Sequence, residues 1–276
     1  MRFTIHIATI LLGIIGLSLI NSYTLSAQTY KATYSIEYQP DSTNIHSRLQ
    51  EKAYLFIQNQ TSYYGTENYL KKDSIFQLVN SGKVSAYEIM ADKSNLFTTR
   101  FNHFISKDSQ KGLTIYEACN IDVYQYKMTT PFTWAISSTS AVINGYDCFQ
   151  AITHFAGRDY EAWFTKEIPI SDGPYIFSGL PGLIVKVQDV KSHYVFELIG
   201  FESFEGHFVK TIARDPAKII VTDRENVFKI REESRKDPIG NLDRSFGATS
   251  ILSVADKEKM RKKIAANNNP LELRLH

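Results

Sequence analysis

Asp159 and Glu161 are two carboxylates whose spacing would let them act together in catalysis. They lie two residues apart in a segment that alternates like a strand, so both side chains share one face. Two carboxylates on one face could act as a general acid and a general base. Solvated strand residues opposite buried Tyr160 and Ala162 are the simpler interpretation. Trp163 continues the face of the two acids, and this mixture of acids and an aromatic ring is typical of binding surfaces.

We predict a binding site on this surface and add the other tryptophan, Trp134, to it. Burial of Trp163 beneath a neighbouring loop is the alternative. The sequence has no His-Glu-x-x-His helix, Gly-x-Ser-x-Gly elbow or phosphate-binding glycine loop. Ser178 precedes Gly179 but has Ile176 where the elbow needs glycine. No histidine pair has helical ligand spacing. We therefore expect no catalytic residue, metal or cofactor.

The N-terminus predicts export. Residues 3–20 are almost wholly apolar, Arg2 precedes them, and Ser26 and Ala27 precede Gln28. This pattern is typical of a signal peptide over residues 1–27, and an uncleaved membrane anchor is the alternative. No cysteine lies near this site, so we do not expect a lipoprotein. The expected location is the periplasm or the medium.

Export would place the two cysteines in an oxidising compartment. In an oxidising compartment an even pair favours a disulfide, here between Cys119 and Cys148. Two buried free thiols are the alternative.

Composition indicates one globular domain over residues 28–276. The 276 residues include 16 tyrosines, 17 phenylalanines and 2 tryptophans, which is too apolar for a disordered chain. A net charge of +2 argues against nucleic-acid binding. Most aromatic residues fall in a strand-rich part, 28–209, ahead of a basic helical tail, 210–276.

Alternating residues predict consecutive antiparallel strands in the first part. The expected fold is mainly β (α+β), a curved antiparallel sheet or half-barrel, with one or two helices near the C-terminus. Asn144-Gly145 predicts a hairpin. Thr222 with Glu225 predicts one helix start and Ser253 another. The predicted strands are 30–38, 52–58, 74–79, 83–90, 96–104, 113–119, 122–127, 146–156, 159–164, 183–190 and 194–199.

The segment 171–184 is rich in glycine and proline and predicts an ordered loop that leads into a strand. Pro181-Gly182 suits the centre of a type II turn. Apolar Leu180, Leu183 and Ile184 surround this turn, so we expect it to press against the core.

These residues carry a family resemblance. Residues 179–184 spell the motif of the GLPGLI family of exported Bacteroidetes proteins, and the chain resembles that family over about residues 134–199. Similar sequence occurs in order at Trp134, 143–148, Ala151, 162–165, 168–169, 173–174 and, near the C-terminus, 269–273. The motif residues are Gly173, Pro174, Gly179, Leu180, Pro181, Gly182, Leu183 and Ile184.

The resemblance implies an envelope or secreted location and carries over no catalytic residue, because the family's activity is unassigned. We expect a non-enzymatic protein that binds an envelope protein or a small apolar ligand. It would meet the membrane only through an uncleaved signal segment. The alternatives are an apolar-ligand carrier resembling periplasmic lipoprotein carriers and a carboxylate-dependent envelope hydrolase.

Overall fold

The computed structural model describes residues 29–85, 99–119, 122–129, 132–204, 218–237, 239–240 and 253–275. The predicted signal peptide, 1–27, lies outside them. None of the helices in this part of the chain has the length and apolar character needed to cross a bilayer. The strands are β1 Thr29–Tyr38, β2 Leu49–Gln58, β3 Thr61–Thr66, β4 His103–Asp108, β5 Gly112–Cys119, β6 Asp122–Met128, β7 Ala135–Ile143, β8 Tyr146–Phe155, β9 Arg158–Thr165, β10 Leu183–Asp189, β11 Tyr194–Phe204 and β12 Ile219–Val221.

All twelve strands form one open sheet in the order β12-β6-β5-β4-β3-β2-β1-β11-β10-β9-β8-β7. Neighbouring strands are antiparallel except β12, which runs parallel to β6. The predicted mainly β fold is confirmed.

Alternation along the strands explains how the sheet forms. Tyr34 and Ile36 of β1 are fully buried, and Phe196 and Leu198 of β11 face them across the ladder. Burying each such side chain contributes about 1.5–3 kcal/mol relative to exposure. Their neighbours along each strand point to the other face, where charged residues are tolerated.

The predicted strand 74–79 is wrong, because these residues belong to helix α1, Glu67–Asn80. The side chain of Thr66 caps this helix by accepting from the amide of Tyr69, and Glu67 pairs with Lys71 one turn later at 2.9 Å. These local interactions decide the structure of a short apolar run whose pattern alone is ambiguous.

The next two predicted strands also need correction. Residues 83–85 are not in a strand, and 86–90 lie outside the described residues. Likewise, residues 99–102 precede β4, which begins only at His103, and 96–98 are not described.

Near the C-terminus the described residues include two full helices, as predicted: α2, Arg224–Lys236, and α3, Val254–Ala265. Ser253 caps α3, as expected. The cap of α2 is Asp223 rather than Thr222, because the Asp223 carboxylate accepts from the amide of Asn226 at 2.7 Å. The structure also has a short 3-10 helix, Ile45–Ser47, before β2.

Candidate functional site

The loop between β9 and β10, residues 166–182, fills the concave side of the sheet. Phe177 is fully buried, and its ring lies 4.8 Å from Tyr160 of β9 and 6.2 Å from Phe196 of β11, between ring centroids. The neighbouring Tyr175 reaches Tyr64 of β3, with 6.5 Å between the ring centroids. Tyr175 and Phe177 are only two residues apart, with 6.1 Å between their ring centroids, yet they contact strands five positions apart in the order, so the sheet curves around this loop.

Lys107 of β4 anchors the middle of this loop. Its buried ammonium donates to the Asp172 carboxylate at 2.7 Å, to the carbonyl of Gly173 at 2.6 Å and to that of Phe177 at 3.2 Å. The hydroxyl of Ser62 donates to the other carboxylate oxygen of Asp172. All three ammonium donors are thus used within the fold.

The motif glycines allow neighbouring atoms to pack where a Cβ would overlap them. A Cβ on Gly182 would lie 1.9 Å from the carbonyl oxygen of Thr165, and one on Gly173 would lie 2.8 Å from Ile184. The predicted type II turn is wrong: the amide of Gly182 donates to the carbonyl of Leu180 at 2.8 Å, which closes a three-residue turn. The reason is that the next amide, on Leu183, is bound to Ile168 instead.

The structure separates the two tryptophans. The Trp134 indole donates to the carbonyl of Ser178 at 2.8 Å and packs against Phe177 on the concave side. Trp163 lies on the opposite face of β9, together with Asp159 and Glu161.

On that outer face each acid already has a partner. The Asp159 carboxylate lies 2.7 Å from the imidazole of His154, and the Trp163 indole donates to Glu161 at 2.6 Å. Neither acid lines either of the two cavities described below. The geometry therefore gives the hydrolase alternative no support at these residues.

The disulfide expected between Cys119 and Cys148 is not formed. Both thiols are free and buried, which is the alternative weighed from the sequence. Cys119 ends β5 and Cys148 lies on β8, with seven strands between them in the sheet order. Burial is the main cause that raises the pKa of Cys148 to about 11.

The C-terminal segment, residues 267–275, is bound to the sheet through Arg158. This buried arginine pairs with Asp189 at 2.9 Å, and it donates to the side chain of Asn269 at 2.6 Å and to the carbonyl of Leu271 at 3.0 Å. The Tyr194 hydroxyl adds a bond to the carbonyl of Asn269 at 2.6 Å. The segment is thereby held as part of the folded core.

A second buried cluster centres on Glu272. Its carboxylate accepts from the Tyr175 hydroxyl at 2.8 Å and from Arg231 of α2 at 3.1 Å, and Arg224 lies 3.3 Å away. Arg231 also binds Glu117 of β5 at 3.2 Å. Burial alone would raise the pKa of Glu272, but Arg231 and Arg224 hold it below its usual 4.5. This cluster joins the motif loop, the sheet, α2 and the C-terminal segment.

Beside this cluster lies a cavity of about 850 Å³. Its lining includes His103, Tyr175, Arg231 and Glu272. Burial is the main cause that lowers the pKa of His103 below 6.5, so this imidazole is neutral at pH 7. Among the described residues, five cationic side chains line the cavity and three carboxylates oppose them. The cations are Arg100, Arg231, Arg235, Lys236 and Arg261, and the carboxylates are Glu117, Asp237 and Glu272.

The crowding of positive charge is visible at Arg235. Burial is the main cause that lowers the pKa of this guanidinium. Glu232 opposes the shift, and the neighbouring Arg231 and Arg100 add to it. Arg100 itself donates to Asn267 at 2.7 Å, which is a neutral partner. An anion placed here would relieve this repulsion.

A second cavity, of about 580 Å³, lies near the Lys107–Asp172 pair. It is lined by neutral polar residues of the β2–β3 turn and by the motif loop at Ser178 and Gly179. The ionic groups at its floor already bind one another, so we place the candidate site in the larger cavity. Within the described ranges, no group of three or more His, Cys, Asp or Glu residues could hold a metal ion.

Sequence reasoning missed the cavity because its residues lie far apart in the chain. One signal was available. Glu117 of β5 and Lys107 of β4 are buried and lie two residues along their strands from apolar Ile115 and Ile105, on the same face. A charged residue on the apolar face of a strand indicates a buried partner.

Comparison with known proteins agrees with the fold and leaves the activity open. A family model described as "Protein of unknown function (Porph_ging)" matches residues 157–186, which include the GLPGLI motif. No curated protein sequence matches the chain. The chain is similar to PNGF-II in two solved structures. The one in the P21 space group has 15% identity and a TM-score of 0.53. The one in C2 has 16% identity and a TM-score of 0.51. Each match covers 76% of this chain and 34% of the other, so the chain spans about a third of the length of PNGF-II. At these identities the likeness shows the fold alone.

Proposed function

We propose that this chain is an exported, GLPGLI-type binding protein that holds an anionic ligand in the cavity between β4, β5, α2 and α3. The observation that carries the proposal is the surplus of cationic over anionic side chains around this cavity. The volume of about 850 Å³ falls in the range of about 300–1,000 Å³ that small-molecule sites occupy.

The chemistry of the lining favours carboxylate or phosphate groups. Arg100, Arg235 and Arg261 come from three different segments, and a guanidinium can bind either anion through two parallel hydrogen bonds. Tyr194 and Phe101 add aromatic surface beside the cations. The ligand we propose is therefore an acidic small molecule rather than the apolar ligand expected from the sequence. The concave side of the sheet, where an apolar ligand would sit, is filled by Phe177 and Leu180.

The two buried carboxylates of the cavity are not free to act as general bases. A general base must be free to accept a proton, but Glu117 and Glu272 are both bound to Arg231. Arg231 and Arg224 together balance the charge of these two carboxylates. Of the other cations that line the cavity, Arg235 pairs with Glu232 at 2.8 Å and Arg261 lies 4.0 Å from Glu258, and a bound anion would be a further partner for these guanidiniums.

Export and family membership are part of the proposal. The apolar segment 3–20, the residues before Gln28 and the motif at 179–184 support both. The location proposed is the periplasm or the medium.

The test is calorimetric titration of citrate and of inorganic phosphate into the purified chain, with glycerol as the neutral comparator. We expect heat of binding for the anions and none for glycerol. Raising the ionic strength from about 0.01 M to about 0.1 M shortens the Debye length from about 30 Å to about 10 Å, so binding should weaken.

Two charge reversals on α3 locate the site. Arg261 lines the cavity, whereas Lys259 is exposed on the same helix and does not. Arg261→Glu should weaken citrate binding at least about tenfold, which is about 1.4 kcal/mol. Lys259→Glu changes the net charge equally and should leave the affinity within about twofold. Equal effects of both reversals, or no binding of either anion, would contradict the proposal.

A further inference from the structure

Strand β7 ends the sheet on one side and has an open edge among the described residues. Its nine residues, Ala-Ile-Ser-Ser-Thr-Ser-Ala-Val-Ile, include no charged residue and no proline. Natural edge strands are usually protected by charges, proline, short length or a bulge, because an unprotected edge pairs with other strands, and of these β7 has only a bulge. The opposite edge is different: β12 is only three residues long.

The sequence of β7 is complementary to itself when it is read in the opposite direction. If two copies pair antiparallel about Thr139, Ile136 of one copy lies opposite Val142 of the other, and Ser138 lies opposite Ser140. Hydroxyl-bearing residues then meet in the middle, and apolar residues meet at both ends. The absence of charge means that the strand does not repel its own copy.

Both apolar positions are exposed and lie on one face. Ile136 is 53% exposed and Val142 is 71% exposed. They pair with Ala151 and Asp147 of β8, which are four residues apart and therefore share a face. The register to β8 shifts between Ile136 and Ser140, so the centre of β7 is bulged and the two flanks carry the new ladder.

We propose that two copies of this chain associate through antiparallel pairing of β7 with β7 about a two-fold axis at Thr139. The pairing would join two twelve-stranded sheets edge to edge. It would bury four β-branched side chains, Ile136 and Val142 from each copy, on one face of the joined sheet. Because one strand pair is smaller than a standard interface of about 1,600 Å², we expect a dissociation constant of micromolar order.

The first test is cysteine cross-linking of the full chain. The two-fold axis brings position 139 of both copies together, so Thr139→Cys should form a disulfide-linked dimer under mild oxidation. Val190→Cys is the control, because Val190 is 73% exposed but lies after β10, three strands from the edge. The native cysteines are both buried. Cross-linking of Thr139→Cys no faster than that of Val190→Cys would overturn the proposal.

The second test fixes the register by sedimentation equilibrium. Ile136→Glu and Val142→Lys should each weaken dimerisation at least about tenfold, because each places a charge opposite an apolar side chain. The double variant should recover the parent affinity to within about threefold, since the introduced carboxylate then faces the introduced ammonium of the other copy. A chain that stays monomeric at about 100 µM, or a double variant no better than the single ones, would overturn the proposal. Neither test involves the cationic cavity, so failure here leaves the anion-binding proposal intact.

Discussion

Glu272→Gln tests whether the buried cluster holds the C-terminal segment to the sheet. Only 5% of Glu272 is exposed, and its carboxylate binds Tyr175 and Arg231. Removing one partner of a buried ion pair typically costs about 3–5 kcal/mol. We expect the lower end, about 3 kcal/mol, because glutamine retains hydrogen bonds and Arg231 keeps Glu117. In a domain of this size about 3 kcal/mol lowers the melting temperature by about 6–12 °C.

The pH dependence of the same variant has a definite sign. The pKa of Glu272 in the folded protein is below its usual 4.5, so its ionisation stabilises the fold above that pH. The stabilisation is lost as the pH falls through 4.5 toward the folded pKa. The difference between parent and variant should therefore be largest at pH 7 and should shrink below about pH 4.

The assay is urea unfolding followed by tryptophan fluorescence at pH 7 and at low pH. Glu258→Gln is the matched control, because Glu258 lies 3.9 Å from Lys262 on an exposed helix face and should change the stability by less than about 0.5 kcal/mol. If Glu272→Gln costs no more than Glu258→Gln at pH 7, the buried cluster does not stabilise the fold.

Two further predictions concern a buried acid and a motif glycine. Burial is the main cause that raises the pKa of Glu51, so stability is lost as the pH rises through 4.5 to the folded pKa. The stability of Glu51→Gln relative to the parent should thus increase from pH 4 to pH 7 in urea unfolding; a constant difference would contradict this. Gly182→Ala should cost at least about 3 kcal/mol, because its Cβ overlaps the carbonyl of Thr165. Gly145→Ala meets no atom within 4 Å and should cost only the backbone strain, about 1–2 kcal/mol; equal losses in thermal unfolding would be evidence against the packing role.

The strands could be predicted from the sequence wherever one face of the strand is buried and the other is exposed to solvent. In β1 the buried Tyr34 and Ile36 alternate with the partly exposed Ser35, so the two-residue period survives in the sequence. Helix α1 was not readable, because its cap at Thr66 lies well before the apolar run that suggested a strand. The motif loop was expected to press against the core, and its buried Phe177 agrees with this.

The cavity was beyond sequence reasoning for a physical reason. Glu117 and Arg231 are 114 residues apart, and Arg231 and Glu272 are 41 apart. In the sequence Arg231 is one of many charges on a basic tail, and only the docking of α2 onto the sheet gives it two carboxylate partners. The C-terminal residues 269–273 stood out by family resemblance alone, without any indication that Asn269 and Glu272 are buried.

The most direct test of the cationic cavity is the position of a bound anion. Crystals grown with tungstate, a tetrahedral oxyanion with strong anomalous scattering, would show where the protein holds such a ligand. We predict that the strongest anomalous peak lies inside the cavity, in contact with Arg100, Arg235 or Arg261. Peaks confined to the outer surface, such as the exposed face of α3 around Lys259, would contradict it.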